Sequence, residues 1–246
     1  MPIVFLSPSV QEYNPYVGGG NEEYYMNLIV DDMIPYLLAS GIEYSRNDPN
    51  QNVLAAIAQS NAGNYDLHLA LHSNAAPPAN AGQVRGTDVY YYPNSTQSQR
   101  AATIFANNLK EIYPDPSLVR TLPTTQLAEL VRTTAPAILI ELAYHDNPED
   151  AQWIRDNINR IAENLAISTA DFLNVSAQEP TAARKGTVVT QSTNLNIRSE
   201  PNTNAAIVGK APKGAVVTIL GEDNGWYLIS YDGVQGYVLA QYVSVS

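Results

Sequence analysis

The chain has 246 residues, 45% of them apolar and 15% charged, with 13 basic against 24 acidic side chains and no cysteine. That length suits two domains of ordinary size, and a net charge of −11 excludes a nucleic-acid partner, because affinity for phosphates comes from Lys and Arg. Without cysteine there is no disulfide, thiolate nucleophile or thiolate-bound metal, and no apolar run reaches the roughly 18 residues of a membrane span.

In chain order, Ile3 to Leu6 predicts a first strand, with no basic stretch or small-residue cleavage site of a signal peptide before it. Asn21-Glu22-Glu23 predicts a helix start, Asn as the cap and two acids where the helix dipole favours them. Met26, Ile29, Val30, Met33 and Leu37 then recur at helical spacing as far as Gly41. Ile42 to Ser45 predicts a strand, 52–61 a helix, 67–72 a third apolar strand, 89–92 another, 97–112 a helix and 137–142 a strand. Asn147-Pro148-Glu149-Asp150 opens one last long helix, with Pro at its first position. This alternation predicts an α/β fold, a largely parallel twisted sheet flanked by helices.

Residues 176–186 are small and polar without apolar periodicity, as in a linker, which divides the chain into 1–175, the linker, and 187–246. The first part carries 19 acidic and 8 basic residues and the rest 5 of each, so all the net charge lies in the first part. Beyond Thr187 short strands are separated by turn pairs such as Asn224-Gly225 and Asp232-Gly233, strong hairpin signals that predict a small antiparallel barrel.

Three residues stand where a ligand of an open α/β sheet binds, near the carboxyl ends of strands. They are Glu23 in the first turn of the first helix, His72 closing one strand and Glu141 closing another. An imidazole and carboxylates aimed at one cleft suit a zinc-type ion with an open position for water, Glu141 serving as ligand or base. Each has a plainer reading. Glu23 compensates a helix dipole, and a histidine at a strand end is often a satisfied core residue. A carboxylate directly after Ala137-Ile138-Leu139-Ile140 is costlier to bury without purpose. His68, about 13 Å back along the strand from His72, does not share a metal with it and reads as structural. His145, in the loop after Glu141, is a candidate outer hydrogen-bonding group or substrate contact. Gly18-Gly19-Gly20 lacks the spacing and lysine of a phosphate loop and reads as a turn.

Residues 20–28, 39–46, 66–74 and 136–150, in that order and spacing, resemble the zinc-dependent N-acetylmuramoyl-L-alanine amidases of the Amidase_3 family over residues 1–175. The most specific stretches are Asp66-Leu67-His68-Leu69-Ala70-Leu71-His72-Ser73-Asn74 and Pro136 to Asp150. The resemblance implies Zn2+ held by Glu23 and His72, with Glu141 as the catalytic glutamate; Asn74 and His145 are candidate substrate contacts. Where the family has a histidine after the first strand, this chain reads Ser7-Pro8-Ser9-Val10-Gln11-Glu12. Gln11 is the candidate for that ligand, with Glu12 as the alternative. Thr187 to Val243 resembles a bacterial SH3-like module, by Leu195-Asn196-Ile197-Arg198, Asn224-Gly225-Trp226-Tyr227 and Gly236-Tyr237-Val238. Together the two resemblances imply an extracellular or cell-wall hydrolase that cleaves the amide between N-acetylmuramic acid and L-alanine while the module holds peptidoglycan. A wall-binding relative without turnover and a zinc peptidase acting within the stem peptide are the alternatives.

Overall fold

The computed structural model describes residues 1–180, 183–223 and 225–245 and divides into two compact units, Met1–Ala177 and Gln178–Ser246. The first unit runs β1 (Ile3–Pro8), α1 (Glu22–Ala39), β2 (Glu43–Arg46), α2 (Val53–Asn61), β3 (Leu67–Asn74), β4 (Thr87–Tyr91), α3 (Thr96–Lys110), β5 (Val119–Pro123), α4 (Ala128–Arg132), β6 (Ala137–Tyr144), α5 (Pro148–Asp156) and α6 (Ile158–Leu173). Its six strands lie in the order β2-β1-β3-β6-β4-β5. Strands β2, β1, β3 and β6 are mutually parallel, whereas β4 runs antiparallel to β6 and parallel to β5. The reversal places the amino ends of β4 and β5 on the same rim as the carboxyl ends of β1, β3 and β6.

Local chemistry sets the elements that matter for that rim. Asn21 caps α1 by accepting the N–H of Tyr24, and Met26, Ile29, Val30, Met33, Ile34 and Leu37 form the buried stripe. The expected last long helix is two. Asn147 caps α5 through Glu149 and Asp150, and Asn157 ends α5 and begins α6. The buried Asp150 carboxylate accepts the N–H groups of Gly86 and Tyr144 and the Tyr113 hydroxyl, which ties the start of α5 to the sheet.

The second unit is an all-antiparallel sheet of seven strands: β7 (Arg184–Val188), β8 (Leu195–Arg198), β9 (Ile207–Ala211), β10 (Val216–Asp223), β11 (Trp226–Tyr231), β12 (Val234–Leu239) and β13 (Val243–Val245). Val188, Ile197, Val217, Ile219, Ile229 and Val238 make its core. Asp232 and Gly233, both at positive φ (52° and 77°), form the two-residue turn between β11 and β12. In the other expected turn, Asn224 lies outside the described residues. Strand β7, expected at Val188-Val189, begins earlier, inside the stretch read as linker, and β13 near the end of the chain was not foreseen.

Candidate active site

Strand register assembles the centre. His72 of β3 is the partner of Glu141 of β6, Glu141 is the partner of Asp88 of β4, and Asp88 is the partner of Arg120 of β5. Paired residues share a face of a sheet, so these four side chains form a row across neighbouring strands about 4.8 Å apart. Above the row lies a cleft of about 890 Å³, lined among others by Gln11, Glu12, Glu23, His72, Glu129 and Glu141.

His72 is gripped from both sides. Its Nδ1 lies 2.9 Å from Glu22 Oε1 and 3.2 Å from the Gln11 side-chain amide, and its Nε2 lies 3.3 Å from Glu129 Oε2. Burial opposes a charge on this imidazole, but the bonds to Glu129 and Glu22 outweigh it and push the pKa up to about 10 in the metal-free protein. Glu22 is likewise buried, yet His72, Asn14 and Ser9 hold its carboxyl below the usual range.

The carboxylate against His72 is therefore Glu22, and Glu23, the expected partner, stands one residue away. Glu22 precedes Met26, Ile29 and Met33 by 4, 7 and 11 positions and so extends the buried stripe backward, while Glu23 faces the cleft beside Glu12. Burial and the Glu12 charge raise the Glu23 pKa. Glu12 also lines the cleft and is exposed, while Gln11 is partly buried and tethered by Tyr13 and Asn14, whose donors meet its Oε1.

Glu129 is the residue that the sequence did not suggest. It sits in the five-residue helix α4, too short to show a period, and almost completely buried. Its Oε1 accepts from Ser7 Oγ at 2.5 Å and from His68 Nε2 at 3.1 Å. Against its burial, the bonds to His68 and His72 hold its carboxyl far below the ordinary value. The available signal was a carboxylate between Leu127-Ala128 and Leu130 in an apolar setting. His68, fully buried and stacked on Phe5, thus shares a carboxylate with His72.

Glu141 is half-buried beside the cleft, and its buried Oε2 has no hydrogen-bond partner among the described residues. Burial pushes its pKa up to about 7, with Glu22 and Asp88 adding to the shift and His72 opposing it. Asp88, itself buried, is held by a two-pronged bond from Arg120.

Asn74 and His145 do not line the cleft. The β3 register shifts just past His72. The Asn74 side chain then turns back to accept the N–H of Ala75, and its carbonyl takes the N–H of His145. His145 is buried, stacks on Tyr16, and its Nδ1 lies 3.0 Å from the Ser73 carbonyl, an acceptor only, which makes it a donor inside the loop packing.

The residues present fit a divalent cation at Nδ1. A ring nitrogen carries either a proton or a lone pair. A proton there suits Glu22 and opposes the Gln11 amide, and a lone pair suits Gln11 and opposes Glu22. A cation between Nδ1 and the Glu22 carboxylate resolves the conflict once the Gln11 amide turns its oxygen inward and gives up the bonds from Tyr13 and Asn14. Among the described residues no three His, Asp or Glu side chains form a ligand set, and the third donor of this one is an amide.

Residues 11–170 match the model of the N-acetylmuramoyl-L-alanine amidase family, Amidase_3, about two thirds of the chain. The chain belongs to that family. Residues 193–244 match the bacterial SH3 domain. A putative N-acetylmuramoyl-L-alanine amidase of Bacillus subtilis (strain 168), YrvJ, is 27% identical over 96 residues, which are 39% of this chain and 18% of that protein. The chain thus spans under a fifth of that relative's length. Among solved structures, the amidase AmiC2 of Nostoc punctiforme superposes with a TM-score of 0.62 at 20% identity, over 70% of this chain and 97% of that one. An N-acetylmuramoyl-L-alanine amidase of Clostridium difficile 630 gives 0.63 at 16% identity, over 70% and 97%. At these identities the two structures show that the amidase domain has the family's fold.

Proposed function

We propose that the chain is a zinc-dependent peptidoglycan amidase that cleaves between N-acetylmuramic acid and the L-alanine of the stem peptide, acting at the cell wall or outside the cell. Residues 1–175 form the catalytic domain and 187–246 the module that holds the wall. The observation that carries this reading is the register pair His72 and Glu141, an imidazole caught between carboxylates next to a buried carboxylate oxygen without a partner.

His72, Glu22 and Gln11 would hold the ion. When bound, zinc supplies Lewis acidity, polarising the scissile carbonyl and lowering the pKa of a water. Glu141 is the proton carrier. With its pKa pushed up to about 7 it is poised to take a proton from water near neutrality and to return it to the leaving amine nitrogen. Asp88 stands beside Glu141 on the neighbouring strand, and Arg120 holds it in place with two hydrogen bonds.

The second unit carries its own groove, lined by Thr190, Asn194, Arg198, Trp226 and Tyr242 among others, a mix of aromatic faces and hydrogen-bonding groups that suits sugar and peptide. Digestion of purified peptidoglycan with zinc present, followed by mass analysis, tests the reading. Free lactyl-muramic ends with new L-alanine amino termini support it. Cleavage only within the peptide indicates the peptidase instead, and binding without cleavage the non-catalytic relative that the amide ligand Gln11 favours.

A further inference from the structure

We propose that Glu129 is a positioning residue for the metal-binding histidine: it accepts the Nε2–H of His72 and thereby turns the Nδ1 lone pair toward the cation. The inference rests on the proposed cation site. A neutral imidazole has one N–H, and the atom facing each nitrogen decides where it goes. A carboxylate oxygen accepts only, so Glu129 Oε2 at 3.3 Å requires the proton on Nε2.

Glu129 is itself locked by a directed chain of donors. Ser60 Oγ lies 2.9 Å from His68 Nδ1, His68 Nε2 lies 3.1 Å from Glu129 Oε1, and Ser7 Oγ donates to that same oxygen. Every member of the chain is buried. With Oε1 taken twice, Oε2 is left for His72, so the chain has one consistent set of proton positions, running from the core to the ring. A carboxylate behind an imidazole also makes its other nitrogen a stronger donor. That offsets the weak amide ligand Gln11, and it gives Glu129 a purpose in α4, where the neighbouring Leu130 packs against Ala70, Ala137 and Leu139 of the sheet.

The test measures zinc affinity by competition with a chromogenic chelator, using the full-length chain, its Glu129→Gln variant and its Ser168→Ala variant. Glu129→Gln keeps the shape and removes the charge, and should bind zinc about 10- to 100-fold more weakly. Ser168→Ala removes a buried hydroxyl of α6 that bonds to Asn164 and Asn108 and has no part in this chain, and should keep wild-type affinity within about twofold. Equal affinity in Glu129→Gln, or equal losses in both variants, overturns the positioning role while leaving the cation site standing. Wild-type protein that takes up no zinc overturns the site and the inference together. Nitrogen-15 spectra of the zinc-loaded wild type give a second readout independent of any variant. A ring proton on Nε2 of His72 is expected, and one on Nδ1 contradicts the proposal.

Discussion

At the scale of single residues, the account turns on which carboxylate does what. As the proposed base, Glu141 works only when ionised, so kcat/KM should fall as pH drops through the pKa of the free enzyme. Burial puts that value at about 7 without a metal, and a cation beside it moves it down. The acid limb of the pH profile is therefore expected at or below pH 7. Glu141→Gln should lower kcat by about 10²- to 10⁴-fold and leave zinc stoichiometry unchanged. Steady-state rates together with metal analysis check both, and a variant with wild-type rate contradicts the assignment. Glu22 and Glu23 separate as cleanly. Glu22→Gln should weaken zinc binding by more than about tenfold, whereas Glu23→Gln should stay within about threefold, since only Glu22 touches His72. Equal losses in the two variants would contradict the site's geometry.

Among the elements, α1 delivers Glu22 because its cap sets where the helix begins. Replacing Asn21 with alanine removes the bond to the Tyr24 N–H and should cost about 1 kcal/mol of stability in chemical unfolding. It should also loosen the first turn, so a measured zinc affinity lower than wild type is expected alongside. Strands β3 and β6 were legible because continuous apolar runs end in polar residues, and the first helix because its stripe repeats over about three turns. Glu22 was legible in principle from its spacing to Met26, Ile29 and Met33, but at the first turn a step of one residue rotates a side chain by about 100°. The antiparallel direction of β4 was not legible, since alternation shows which face is buried and carries no sense of direction. Strand β5, mostly exposed, and α4, one turn and a half long, offer no periodic signal. For that reason both Arg120 and Glu129 escaped the sequence reading. Asn157 breaks the last helix without a glycine or proline to announce it.

For the whole molecule, charge separates the two units: residues 1–175 hold the entire net charge of −11, and the rest is neutral. An acidic unit is repelled by an anionic wall within a Debye length of about 8 Å at physiological salt, so the proposed holding role suits the neutral module. Tyr242 is half-exposed at the groove of that module. Tyr242→Ala should reduce binding to insoluble walls by about 3- to 10-fold, the worth of one aromatic contact, with no change in kcat/KM on soluble muropeptides. A parallel fall in both measurements would mean that the groove does not act separately from catalysis. The central claim is that a cation sits between His72 and Glu22 beside Glu141. Its most direct test is an anomalous difference map, recorded at the zinc edge from crystals grown with zinc. The account predicts one peak within about 2.0 to 2.2 Å of His72 Nδ1 and a Glu22 oxygen, with Gln11 as the third protein neighbour. A map without that peak, or a peak held by other side chains, would contradict it.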